Sequence, residues 1–197
     1  MDARADLSRD DRILGLLADA IGCREGLPLG ASERVREHAE RFGKALGLSP
    51  GDQASLERGA LLRDIGKIQI PNAVLLKQGI LDYDEWVLLQ GHSALGAALL
   101  EERGVLKDII DIVHYHHECH DGDGYPDHLE GEAIPYLARI VKILDVYCAM
   151  TSPRHYRDTQ SSTQEGIMHL LAERGKHFDP ALIDVFVEAG IGRPPQA

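Results

Sequence analysis

The stretch Ile109-Ile110-Asp111-Ile112-Val113-His114-Tyr115-His116-His117-Glu118-Cys119-His120-Asp121-Gly122-Asp123-Gly124-Tyr125-Pro126 changes character halfway along. Its first half has a helical period, with Ile109, Ile112 and Val113 on one face of a helix expected over about 107–117. His116 stands seven beyond Ile109 and three beyond Val113, and His117 stands four beyond Val113 and seven beyond Ile110. The apolar stripe therefore becomes imidazole where the helix ends. The Gly, Asp and Pro residues that follow, over 119–135, form a loop too long and too well punctuated to be mere connection.

The rest of the chain reads as more helices of the same kind. With 44% apolar residues in 197, it is the size of one domain with a sizeable core, expected over about 10–190 with short polar tails. Only 5% of the residues are aromatic, and the abundance of Leu, Ala and Ile favours a mostly α fold. A helix over about 9–23 breaks at Gly26-Leu27-Pro28-Leu29-Gly30. Ser32 is a candidate cap for a second, with the stripe Val35, Ala39, Phe42 and Leu46 ending at Gly47. Ser49, Pro50 and Asp52 start a third that runs to about 65, and Asp82 with Glu85 starts another through Trp86, Leu89 and Leu99. Helices over about 136–150, 163–173 and 180–189 complete the chain.

A formal charge of −11 argues against a nucleic-acid polymer as partner, although a small anionic ligand needs only a few local cations. Cys23, Cys119 and Cys148 lie far apart without a Cys-x-x-Cys pair, which suggests neither a disulfide framework nor a zinc knuckle. No apolar run approaches a membrane span, and no signal peptide is legible, so no membrane association and a cytoplasmic location are expected.

Ionisable residues occupy positions that the helical period assigns to the core. His92 lies on the stripe with Leu89, Gly96 and Leu99; Asp64 follows Ala60 and Leu61 by four and three; Asp145 follows Val141 by four and Ala138 by seven. Any one of these, or of His116 and His117, is ordinarily a hydrogen-bonded core residue. Two carboxylates and three imidazoles together point to a metal site, because burying ionised carboxylates costs several kcal/mol each without a compensating cation.

Leu61-Leu62-Arg63-Asp64-Ile65-Gly66-Lys67-Ile68 is similar to the segment that carries the His-Asp pair of the HD-type metal-dependent phosphohydrolases. The stretch from His116 to Pro126 resembles the second signature of their HD-GYP branch, which ends in Gly-Tyr-Pro. Ala138-Arg139-Ile140 leading to Asp145, then Ala149-Met150-Thr151-Ser152 and Phe178-Asp179-Pro180, match in family order. The resemblance implies an all-α, HD-type helical bundle. It also implies cyclic di-GMP or a related small phosphodiester as ligand, and a hydrolysis in which two metal ions absorb the developing charge.

Three positions depart from the family pattern. Ala31 stands where the first histidine is expected, Arg63 where the histidine of the His-Asp pair is expected, and Cys148 where an aspartate usually follows Asp145. Carried over residue by residue, one ion keeps Asp64, His92, His116 and His117, and the other keeps only Asp64 and Asp145. The resemblance thus implies a transition metal, iron or manganese before zinc, as one ion rather than two. Arg63 is expected to set its guanidinium against Asp145 or Asp64 in place of the lost ion, the alternative being that it swings out to solvent and leaves the acids to water or nearby donors. Asp64 and Lys67 are the candidate catalytic residues, and Lys67, Arg154, Arg157 and Tyr125 the candidate ligand contacts.

The reading that follows is a degenerate HD-GYP domain that acts by binding a ligand or a partner. The loop over 118–135 is the expected contact for a diguanylate cyclase or other signalling protein, with a homodimer also open to the chain. The alternatives are an active phosphodiesterase with a reduced metal site, and a structural relic that binds neither metal nor nucleotide.

Overall fold

A computed structural model describes residues 3–152 and 162–193, with side chains from Arg12 onward. The helices are α1 (Ala3–Arg24), α2 (Ala31–Ala45), α3 (Pro50–Leu62), α4 (Asn72–Leu75), α5 (Tyr83–Gln90), α6 (His92–Glu101), α7 (Lys107–Tyr115), α8 (Tyr136–Thr151), α9 (Thr163–Ala172) and α10 (Pro180–Glu188). Two 3-10 turns, Ile65–Gln69 and Gly131–Ala133, interrupt them. No β-sheet forms among the described residues, as the all-α reading expects. No helix among them is long and apolar enough to cross a membrane.

Local chemistry sets most boundaries. Ser49 Oγ accepts from Asp52 N with Pro50 in the first turn of α3, and Asp82 with Glu85 closes a reciprocal capping box on α5. Ser32 does not cap α2: the helix starts two residues earlier than such a cap implies, after Gly30 in the left-handed region (φ 82°), and Ser32 is buried. The helix expected to run from α3 to residue 65 stops at Leu62, because Asp64 leaves helical geometry (φ −96°, ψ 7°) and the chain tightens into a 3-10 turn. The single helix expected from Asp82 to Leu99 is two, broken by a turn at Gly91.

The main core lies where α2, α3, α7, α8 and α10 meet, around Phe42, Leu56, Ile112, Ile140, Leu144 and Phe186, each fully buried. Such side chains contribute about 1.5–3 kcal/mol apiece. A smaller cluster of Ile21, Leu62, Ile65, Leu100, Ile109 and Val113 ties α1 and the 65–69 turn to α6 and α7. That turn lies directly against α6: a Cβ on Gly66 would overlap the His92 carbonyl oxygen and the Gly96 nitrogen. Arg24 secures its other side, donating to the carbonyls of Lys67 (2.9 Å) and Ile70 (3.2 Å). Asp64 and His92 are thereby held at a spacing set by backbone contact.

Candidate metal centre and the adjoining cleft

Four of the five expected ligands converge. Asp64 stands between α3 and the 3-10 turn, His92 opens α6, and His116 and His117 follow α7. These are helix ends, not mid-helix positions. Asp64, His92, His116 and His117 each offer a ligand atom, and the four atoms lie within 4.8 Å of one another. The rings of His116 and His117 are 4.0 Å apart between centroids, and those of His92 and His117 are 5.0 Å apart.

Backbone carbonyls fix which nitrogen faces inward. Nδ1 of His92 lies 2.7 Å from the Leu89 oxygen, and Nδ1 of His116 lies 2.9 Å from the Val113 oxygen. A carbonyl only accepts, so both Nδ1 atoms carry the proton and both Nε2 atoms present a lone pair. Both Nε2 atoms are buried without a hydrogen-bond partner. Burial lowers the pKa of all three imidazoles, that of His116 to about 4, so they are neutral at pH 7. Asp64 stays ionised despite burial, held well below the ordinary carboxylate range by Lys67, Arg63 and the histidines. Orphaned lone pairs around one carboxylate fit a transition-metal ion.

Asp145 does not join that group. It pairs with Arg63, whose Nε donates to Asp145 Oδ1 at 2.7 Å, while a terminal nitrogen lies 3.3 Å from Asp64 Oδ2. Arg63 is 7% exposed, and its guanidinium also donates to the Ala60 carbonyl at 2.8 Å. Burial alone would raise the Asp145 carboxyl, but the adjacent Arg63 holds it below its usual value. Arg63 was expected against Asp145 or Asp64, and its guanidinium reaches both. Ala31, Arg63, Asp145 and Cys148 line a common cleft of about 110 Å³. Cys148 adds no anion there, since burial pushes its thiol up to about 12.

Lys67 also lines this cleft, with its ammonium held between Asp64 Oδ1 (2.9 Å) and Glu25 Oε2 (3.1 Å). Glu25 was not expected at the site. It lies 42 residues from Lys67 on a turn after α1, and no local pattern marks it. Burial raises its pKa despite the ion pair. Arg154 and Arg157 fall outside the described residues.

The loop after His117 is organised from beneath by Glu118, which is 1% exposed and accepts from the amides of Asp127 (2.7 Å) and Leu129 (3.2 Å). Gly124 lies so close to this segment that a Cβ would collide with Cys119 N and Glu118 Cα, which gives that glycine a steric cause. Tyr125 stacks on His117, ring centroids 4.7 Å apart and 24° from parallel. It therefore covers one face of the histidine cluster. Glu118 was legible in sequence as a member of the signature stretch but without a stated role, and Glu25 only as an acid.

Comparison with known proteins agrees with this geometry. Over 182 residues the chain is 39% identical to the cyclic di-GMP phosphodiesterase response regulator RpfG of Xanthomonas campestris pv. campestris, covering 91% of the chain and 48% of that protein. It is 35% identical over 175 residues to the 3'3'-cGAMP-specific phosphodiesterase 2 of Vibrio cholerae, covering 87% of the chain and 33% of the relative. The chain thus spans about a third to a half of the length of these relatives. The crystal structure of the V. cholerae cyclic GMP-AMP phosphodiesterase V-cGAP3 superposes with a TM-score of 0.71 at 22% identity, over 90% of this chain and 48% of that one, a likeness of fold. Residues 4–182 match the family described as HD domain. On these matches, and on the signature loop that Glu118 and Gly124 shape, the chain belongs to the HD domain family, in its HD-GYP branch.

Proposed function

We propose that this is a cyclic di-GMP signalling domain that holds one metal ion and works by binding, with phosphodiester hydrolysis strongly impaired. The observation that carries this reading is the Arg63 guanidinium between Asp145 and Asp64. The carboxylates on which a second ion depends already have a fixed cation, and Ala31 and Cys148 offer no further ligand.

Asp64, His92, His116 and His117 would hold the remaining ion. When bound, it would supply positive charge for a phosphate oxygen and acidify a water. Around it, Lys67 adds a cation at the cleft, Tyr125 covers His117, and Arg63 fixes Asp145 in an ionised, hydrogen-bonded state unsuited to accepting a proton. Loss of one ion's transition-state stabilisation slows hydrolysis by about a thousandfold or more, at about 1.4 kcal/mol per tenfold. The Glu118-supported loop, which includes Tyr125, offers an ordered surface for a diguanylate cyclase or other signalling protein, in the manner the family resemblance implies. Arg154 and Arg157 remain part of this proposal as phosphate contacts.

The complete four-ligand cluster favours a second reading, a one-metal phosphodiesterase. Titration calorimetry with cyclic di-GMP, beside a hydrolysis assay with added manganese or iron, separates the two. Binding with turnover about a thousandfold below ordinary enzyme rates supports the proposal; ordinary turnover refutes it. The double change Ala31→His and Arg63→His is expected to admit a second ion and raise the rate.

A further inference from the structure

Helix α5 has little over it. Of its eight residues, Tyr83, Trp86, Val87, Leu88 and Leu89 are apolar, yet none is buried. Tyr83 is 79% exposed, Trp86 46%, Val87 47% and Leu88 50%, and Ile80 on the preceding turn is 93% exposed. At 100° per residue, Trp86, Tyr83, Val87 and Leu88 fall within an arc of about 200°, with the partly exposed Gln90 between Trp86 and Tyr83. Exposed apolar side chains grouped in this way mark an interaction surface.

A single acid lies within that arc. Around the helix Asp84 falls between Val87 and Leu88, and it is exposed. The neighbouring acids are engaged: Asp82 Oδ1 accepts from Glu85 N, and Glu85 takes both the Asp82 amide and the Lys77 ammonium. Asp84 enters neither arrangement.

We propose that α5 is a docking surface for an amphipathic helix of a partner protein whose apolar face covers Tyr83, Trp86, Val87 and Leu88 and whose lysine or arginine meets Asp84. The charge pattern selects this occupant. A second copy of the chain would bring a second Asp84 and a second −11 formal charge to the same interface. An anionic membrane surface favours helices with basic flanks, and this one is flanked by acids. A cationic, apolar helix satisfies both the arc and the acid. The surface leads directly into the metal centre, since α5 passes through Gly91 to His92, whose Nδ1 donates to the Leu89 carbonyl. The docking proposal itself does not depend on the metal being bound.

Trp86 is the chain's sole tryptophan, so its emission reports on this surface alone. The test titrates the whole chain with a synthetic helical peptide bearing leucine on one face and lysine on the other, and with its glutamate counterpart. The expected result is a saturable blue shift with the lysine peptide and none with the glutamate peptide. Asp84→Lys should weaken binding by roughly tenfold or more. Glu188→Lys, the same charge change on an exposed residue of α10, should stay within about twofold. Circular dichroism verifies that both variants fold.

The proposal is overturned if the lysine peptide leaves Trp86 emission unchanged, if both peptides act alike, or if the two variants weaken binding equally. A blue shift on anionic vesicles without peptide would assign the face to a membrane instead. A sedimenting dimer that shields Trp86 without peptide would assign it to a second copy.

Discussion

Replacing Arg63 by methionine keeps most of the side-chain volume and removes the charge. Asp145 then loses its 2.7 Å donor and Asp64 a cation at 3.3 Å, so two neighbouring carboxylates keep only Lys67 nearby. Removing one partner of a buried pair costs about 3–5 kcal/mol. The Asp145 side chain retains 21% of its exposure, so water compensates in part and the lower end, about 3 kcal/mol, applies. For a domain of this size that lowers Tm by roughly 6–12 °C. Urea denaturation with chelator present isolates the effect from metal binding. Because an apolar replacement of both partners is often nearly neutral, Arg63→Met with Asp145→Leu should lose less than the sum of the single changes, with coupling of about 2 kcal/mol. A loss under about 0.5 kcal/mol for Arg63→Met, or strict additivity, would refute the claim that this guanidinium stands in for an ion.

Three further outcomes follow from the site. Burial lowers all three imidazole pKa values, so zinc affinity measured by competition should fall between pH 8 and 6 by much less than the roughly seventyfold expected for three ordinary histidines. Glu118→Ala leaves the amides of Asp127 and Leu129 without acceptors; it should cost about 2–4 kcal/mol and speed hydrogen exchange at those two amides. Gly66→Ala forces the 3-10 turn away from the backbone of α6 and should destabilise the chain by about 3 kcal/mol while weakening metal binding through His92, as thermal unfolding and a metal titration would show.

The helical face that ends in His116 and His117 was legible because the period carries Ile109 and Val113 onto the imidazoles without a break. The same rule failed at Gly91, where Leu89, His92, Gly96 and Leu99 read as one stripe although the chain turns and starts a new helix at His92. Periodicity records which face is apolar; it does not record a change of axis direction that leaves the phase intact. Ser32 has the right chemistry for a cap, but Gly30 takes the left-handed conformation that starts α2 two residues earlier. Arg63 could be anticipated from charge balance, since two core-facing acids needed a cation. Glu25 could not, because its contact with Lys67 exists only once α1 is laid beside the 65–69 turn. Trp86 was legible only as part of a helix starting at Asp82, and its exposure shows a face without a neighbour among the described residues.

Counting the metal in the chain purified anaerobically without chelators tests the one-ion reading most directly. The prediction is about one transition-metal ion per chain, lost in a folded His116→Ala variant and retained in Asp145→Asn. Two ions per chain, none at all, or an ion retained without His116 would contradict it.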